Sequence, residues 1–351
     1  MADVDPQLQL FRRQYLQLFQ LDFLAWPHPQ LLRRGDVQAW LFKYMFDESR
    51  NAQLPSERYQ LHVLRLLVAR IEKAIQDPDE DEISDDLVNR LAALMTHGVP
   101  SELDTMKHPA YVTFTCLPES HHEEDLVGND GGSEEPTITL LERRNLISGS
   151  RTTGFRTWEA ALHLGSYLLT DAGRSLIRGK TVLELGGGTG FLAILCAKHL
   201  GARHVTTTDG DESVLDGLKE NLALNGLDDE RLVTTRKLWW GEELKGTWVE
   251  QECEAEPYDV VVGTDITYDP VAIVVLVQTL QYLFQMKPGL LAIIACAIRN
   301  ADTFKTLQDE CARRHFAVEE ITFAAKPMRE QKALFYGAAV PFVIWRITGG
   351  S

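Results

Sequence analysis

The sequence has no paired-cysteine motif, no apolar run of membrane length and too few cations for its size. Its five cysteines, at 116, 196, 253, 296 and 311, are scattered and form no CxxC pair. That excludes a disulfide framework and fits a reducing compartment. Cys196 and Cys296 lie inside apolar runs and read as packed thiols. The most apolar stretches, 271–283 and 290–298, are separated by Lys287, Pro288 and Gly289, and neither is long enough to span a bilayer. Residues 1–6 carry two Asp and no apolar signal core. A soluble, cytoplasmic protein with no membrane partner is expected. Lys and Arg number 35 against 51 Asp and Glu, a net charge of −16. That argues against a phosphate-backbone binder and leaves a basic protein partner open.

What is present suffices for a sizeable core. The chain has 351 residues, 44% of them hydrophobic, so two units are expected. Leu8, Phe11, Tyr15, Leu18, Phe19 and Phe23 recur at helical spacing until Trp26-Pro-His-Pro29 breaks the pattern. Two further helical runs cover 31–46 and 55–75, and a short helix follows Ser84. Residues 1–108 thus read as a small helical N-terminal domain, either a plain bundle or a platform for a protein partner. Residues 109–150 read as a hairpin-like connector, strand 111–117 against 138–142, around a mobile acidic loop at 118–136. His121-His122 with Glu123-Glu124 has no fixed geometry, and no metal is assigned.

From residue 151 onward, strand and helix patterns alternate as in a doubly wound α/β fold. Strands are expected at 181–185, 205–209, 232–238, 258–265, 290–297, 318–323 and 339–347. The connection at 324–337 carries no helix pattern, which implies an antiparallel closing strand.

The chemistry concentrates at strand ends. Val182-Leu-Glu-Leu-Gly-Gly-Gly-Thr-Gly-Phe-Leu192 reads as strand, glycine loop and helix. Gly186, Gly187, Gly188 and Gly190 let backbone approach a ligand. The dinucleotide fingerprint wants a third glycine where Phe191 stands, and Glu184 would repel a pyrophosphate. A cationic ligand such as S-adenosylmethionine suits the loop better, and a purely structural turn is the alternative. Asp209, at the next strand tip, is placed for ribose hydroxyls, with a helix cap as the rival role. Of Trp239 and Trp240, alternation allows one to stack on a purine and puts the other in the core. Trp158 is either a core anchor or a pocket wall, and on sequence pattern alone the core reading wins. Asp265 can accept hydrogen bonds from an amine, and Tyr268 offers an aromatic wall and a hydroxyl. Asp269 before Pro270 reads as a cap.

Taken together, the Glu-x-Gly-x-Gly-x-Gly loop, the strand-two acid, the strand-four Asp and the closing antiparallel strand resemble the seven-β-strand methyltransferases. Thr157-Trp-Glu-Ala160, Trp240-Gly241 and Asp265-Ile-Thr-Tyr268 resemble methyltransferase family 16, which modifies protein lysines, over about residues 137–347. Gly154 to Leu164, Thr207-Thr-Asp-Gly-Asp211 and Phe23-Leu-Ala-Trp-Pro27 look most like the elongation factor 2 lysine methyltransferases. The resemblance implies a seven-stranded, doubly wound, Rossmann-like class I methyltransferase sheet over 151–351, with the last strand antiparallel. It implies S-adenosylmethionine as cofactor, held by Trp158, Glu184, Gly186, Gly187, Gly188, Gly190, Asp209, Trp240 and Thr264. It makes Asp265 and Tyr268 the D-x-x-Y substrate motif, elongation factor 2 the protein partner and the enzyme a monomer. Many members carry alanine where this chain has Gly187. A small-molecule methyltransferase or a non-catalytic binding module on the same fold are the rival readings. An NAD-dependent oxidoreductase is disfavoured by Phe191 and Glu184.

Overall fold

The computed structural model describes residues 4–77, 81–96, 109–119, 135–143 and 153–350. The expected mobile loop at 118–136 and the histidine pair at 121–122 fall almost wholly outside them. The chain divides into two compact units, one formed from 1–115 and 123–149, the other from 116–122 and 150–351.

The first unit is built on short amphipathic helices. Helix α1, Pro6–Leu16, starts where Asp5 accepts a hydrogen bond from the Gln7 N–H at 2.9 Å, with proline in the first turn. It ends sooner than the apolar spacing predicts, because Leu18 takes a left-handed φ of 56° and the chain turns. Helices α2 (Pro29–Leu32), α3 (Gly35–Leu41), α4 (Glu57–Ala74) and α5 (Asp85–Thr96) follow. Phe11, Tyr15, Leu41, Phe46, Leu64, Leu67 and Ile71 are fully buried among them. Strands β1 (Ala110–Thr115) and β2 (Thr137–Glu142) pair antiparallel, Ala110 opposite Glu142 and Thr115 opposite Thr137.

The second unit is a seven-stranded, doubly wound sheet. Its strands are β3 (Thr181–Leu185), β4 (His204–Asp209), β5 (Val233–Lys237), β6 (Val260–Thr264), β7 (Leu291–Ala297), β8 (Ala317–Glu320) and β9 (Phe342–Thr348), in the order β5-β4-β3-β6-β7-β9-β8. The first five are parallel, and β9 lies antiparallel to both β7 and β8. The near-continuous burial of β3, β6 and β7 explains their largely apolar character, since helices cover both faces, while β4 meets the same burial with threonines whose hydroxyls are hydrogen-bonded. Helices α6 (Glu159–Leu168), α7 (Asp171–Ser175), α8 (Phe191–Ile194), α9 (Glu212–Leu224), α10 (Trp248–Ala255), α11 (Pro270–Met286) and α12 (Ala301–Arg313) provide the layers. The apolar α11 packs Ile273, Leu276, Val277 and Leu280 against Leu183, Val261 and Ile294 of the sheet. The strand order reverses between β3 and β4 on one side and β6 on the other, the place where such sheets open a crevice.

Candidate active site

The glycine loop opens at that crevice. Gly186, Gly188 and Gly190 take left-handed φ values of 70°, 53° and 85°, which side chains strain to adopt. A β-carbon at Gly186 would stand 2.6 Å from Ile266 Cγ2 and 3.5 Å from Trp240 Cζ2, so the indole walls the loop. Position 187 is tight for a different reason. A methyl there would collide with Thr207 Oγ1 and approach Glu184 Oε2 to 3.1 Å. The loop is braced from three sides. Gly187 N–H donates to the Thr208 carbonyl at 2.8 Å, Asn221 Nδ2 donates to the Thr189 carbonyl at 3.0 Å, and the hydroxyls of Thr189 and Thr157 meet at 2.8 Å.

The two acids of this half are both desolvated. Glu184, only 3% exposed, accepts a hydrogen bond from Thr207 Oγ1 at 2.6 Å. Burial pushes its carboxyl up to about 8, a cost the Thr207 bond offsets in part. Asp209 stands at the tip of β4. Its Oδ2 accepts from the Gly188 N–H at 3.3 Å and its Oδ1 from the Asp211 N–H at 3.1 Å. Burial raises its carboxyl pKa against the pull of those bonds. The neighbouring helix α9 is capped by Asp211, which accepts from Ser213 N–H at 2.8 Å. The capping role that competed for Asp209 thus belongs to Asp211.

Past the end of β6, beyond Thr264, the chain turns sharply. Asp265 holds a φ of 51°, a left-handed value that aspartate tolerates better than most side chains. Its Oδ1 accepts from the Ala297 N–H at 3.1 Å and its Oδ2 from the Ala160 N–H at 3.3 Å, at the first turn of α6. Burial raises its pKa, opposed by those bonds and by Arg299, whose Nη2 lies 3.7 Å from Oδ2. Asp265 and Tyr268 line a cavity of about 180 Å³ with Thr267, Cys296, Arg299 and Phe304. Tyr268 is 62% exposed, at its mouth. Asp269 caps α11, accepting from the N–H groups of Val271 at 2.7 Å and Ala272 at 3.2 Å. A larger cavity, about 350 Å³, lies in the first unit beside Glu48, Gln60 and Tyr111. We place the chemistry at the smaller one, since it holds the strained, desolvated carboxylate.

The tryptophans divide in an unforeseen way. Trp240 is partly buried, packs against the core of the sheet and lies beside Gly186. Trp239, expected in the core if Trp240 was not, is 55% exposed and lies against Gly210. Strand β5 ends at Lys237, so its alternation no longer governs either ring. Trp158 is a half-buried ring with Arg156 and Arg299 guanidinium carbons 4.9 and 5.0 Å from its centroid, and its Nε1 donates to the Thr153 carbonyl at 3.0 Å.

Several residues that shape the site carried no signal in the sequence. Thr157, Thr189 and Asn221 hold the glycine loop, Thr207 engages Glu184, Ile266 fills the space above Gly186, and Arg299 faces Asp265. Thr157, Thr189, Thr207 and Ile266 lie inside motifs but as positions with no role of their own there, and Asn221 and Arg299 lie in none. Among the described residues, no group of three or more His, Cys, Asp or Glu is arranged to hold a metal, and no helix is long and apolar enough to cross a membrane.

Comparison with known proteins shows the family. The lysine methyltransferase family profile matches residues 141–309. The chain is 44% identical over 347 residues to protein-lysine N-methyltransferase EFM3 of Chaetomium thermophilum, covering 99% of each chain. It is 30% identical over 289 residues to protein-lysine N-methyltransferase EFM3 of Saccharomyces cerevisiae, covering 77% of each. It is 27% identical over 364 residues to human protein-lysine N-methyltransferase EEF2KMT, covering 99% of this chain and 98% of that one.

Proposed function

The chain belongs to the lysine methyltransferase family, and from that premise we propose that it methylates a lysine of elongation factor 2. It is an S-adenosylmethionine-dependent protein-lysine N-methyltransferase. The finer reading, the identity of the substrate, is supported by the resemblance carried by residues 154–164 and 207–211.

The crevice fits the cofactor. Gly186 leaves no room for a β-carbon beside Ile266 and Trp240, and Gly187 none against Thr207, so the loop is held as bare backbone at the crevice. Asp209 is held at the loop's edge by the Gly188 N–H, with lone pairs left for hydroxyl donors. On our reading Gly186, Gly187, Gly188 and Gly190 with Glu184 and Thr264 frame the methionyl part, Asp209 takes the ribose, and Trp240 takes the purine. Trp158 closes the crevice. When bound, the cofactor supplies a methyl group on a cationic sulfur.

The chain's own contribution is positioning. A free lysine is mostly protonated near neutrality, with a pKa of about 10.4, so the acceptor cleft must select or create the neutral amine. Asp265 accepts two backbone hydrogen bonds and keeps lone pairs free, enough to orient an amine through its hydrogens. Tyr268 provides an aromatic face that tolerates methylated ammonium, which allows more than one methyl addition. The single observation that carries a protein acceptor is the open mouth of this cleft. Tyr268, 62% exposed, and Arg299, whose side chain is 45% exposed, line it, so a side chain on a large substrate can reach Asp265. A small-molecule enzyme needs its acceptor enclosed.

We further infer a cytoplasmic monomer whose helical N-terminal domain (1–108) and connector (109–150) precede the catalytic domain (151–351). The experiment is transfer of labelled methyl groups to purified elongation factor 2. Labelling of that protein supports the assignment. No labelling, with labelling of another lysate protein, overturns it.

A further inference from the structure

Arg299, just beyond β7, makes more contacts than its exposed position suggests. Its side chain is 45% exposed, yet Nη2 lies 2.8 Å from Glu159 Oε2 and 3.7 Å from Asp265 Oδ2, and its guanidinium carbon sits 5.0 Å from the Trp158 ring centre. Glu159 gives its other oxygen to Arg156 Nη2 at 2.9 Å, and Arg156 also lies 4.9 Å from the Trp158 centroid. One indole is thus contacted by two guanidinium groups that a single carboxylate bridges. The second of them reaches on to the D-x-x-Y aspartate.

We propose that Arg299 is a positioning residue for methyl transfer, holding the Asp265 carboxylate oriented and charge-matched toward the incoming lysine amine. This rests on the lysine methyltransferase reading of the cleft. The charges explain why it matters. Arg156 and Arg299 bring two positive charges and Glu159 one negative, so ionised Asp265 makes the group neutral. Tyr268 and Cys296 also face the aspartate, and burial pushes the Cys296 thiol up to about 11, so it stays uncharged. Asn300, Thr303 and Phe304 of the next helix add no charge. A neutral amine therefore enters a balanced site and finds an acceptor. An ammonium finds its counter-charge already taken. Without Arg299, burial raises the Asp265 carboxyl further against only the Ala297 and Ala160 N–H bonds, and the carboxylate loses the side chain that fixes its outer oxygen toward the amine.

The test titrates the Asp265 carboxyl by carbon-13 NMR in the free enzyme, for wild type, Arg299→Gln and Arg299→Lys. A partner charge at this distance strengthens a buried carboxylic acid by about tenfold or more, with partial exposure keeping the effect near the low end. Asp265 should become a roughly tenfold weaker acid in Arg299→Gln and stay near wild type in Arg299→Lys. With the acceptor protein, kcat should fall about tenfold in Arg299→Gln and recover in Arg299→Lys, while cofactor affinity stays within about threefold because Arg156 keeps its hold on Trp158. An Asp265 titration that does not move in Arg299→Gln overturns the proposal. So does a moved titration with kcat unchanged, or a kcat that Arg299→Lys fails to restore. Failure of wild-type enzyme to label elongation factor 2 overturns the substrate assignment alone, because the titration needs no acceptor.

Discussion

Gly187→Ala adds one methyl group at the most crowded point of the cofactor loop. The new carbon collides with Thr207 Oγ1, and lies 3.0 Å from Leu218 Cδ1 and 3.1 Å from Glu184 Oε2. The threonine hydroxyl must rotate away, and its 2.6 Å bond to Glu184 is lost. The buried carboxyl keeps the Ala193 backbone N–H but loses its hydroxyl donor, which costs about 1–3 kcal/mol. Overpacking against Leu218 adds about 1–3 kcal/mol. Alanine restricts the unfolded chain and returns roughly 0.4–1 kcal/mol, because Gly187 has no left-handed φ to lose. The net loss is about 1–5.5 kcal/mol, a drop in melting temperature on the order of 2–20 °C for a unit of this size. The loop should also shift enough to weaken cofactor binding. Thr207→Ala removes the obstacle, so the double variant Gly187→Ala/Thr207→Ala should lose about 1–2 kcal/mol less than the sum of the single losses. Urea unfolding and calorimetric titration with S-adenosylmethionine read both effects. A Gly187→Ala enzyme within about 0.5 kcal/mol of wild type, or strictly additive single losses, would refute the steric argument. It would mean that alanine at this position needs no accommodation at 207.

Three further outcomes follow from the same site. Asp209→Asn keeps the shape but weakens the charge-assisted bonds, so cofactor affinity should fall about tenfold to a hundredfold by calorimetry; unchanged affinity would remove Asp209 from the binding site. Tyr268→Ala should leave melting within about 0.5 kcal/mol of wild type, because the ring is 62% exposed, and still lower kcat/KM for the protein acceptor about tenfold. Tyr268→Phe should retain most activity, and equal losses in the two variants would put the role in the hydroxyl, not the ring. Glu184 titrates at about 8 in the fold against an ordinary 4.5. Between these values the unfolded chain has lost a proton that the native state keeps, so stability falls as pH rises through that window and levels off above it. Glu184→Gln should flatten this slope in urea unfolding measured from pH 5 to 8; an unchanged slope would show that other groups cause it.

The centre of the sheet was legible because β3, β6 and β7 are buried on both faces, which forces largely apolar segments. The reversal at the end was legible too, since 324–337 had no pattern for a crossover helix, and β9 indeed runs antiparallel to β7 and β8. Element ends were harder. The apolar spacing of Leu18 and Phe19 continues that of α1, but Leu18's backbone leaves the helix, and spacing does not register one dihedral. Strand β8 stops at Glu320, three residues before the expected end, with every residue exposed at the sheet edge. Helix α10, Trp248–Ala255, escaped notice because its single fully buried side chain, Val249, leaves no apolar stripe.

The same distinction runs through the site. Glycines, a strand-end acid and a D-x-x-Y pair are local signals, because each answers a need of the backbone or ligand at that point. The residues that hold them in place are distant in sequence. Thr157 reaches Thr189 across 32 residues, Ala160 reaches Asp265 across 105, and Arg299 reaches Glu159 across 140. Nothing at either end of such a pair marks it. Asp265 shows what this costs a reading from sequence. It stood out there as an acceptor for an amine, a group free to act. In the fold it first accepts the N–H groups of α6 and of Ala297, on a left-handed backbone, with Arg299 beside it. Those bonds do not compete with the chemistry. A carboxylate that must orient an amine to within a fraction of an ångström cannot be mobile, and the backbone bonds to α6 and Ala297 together with Arg299 make its remaining lone pairs point one way.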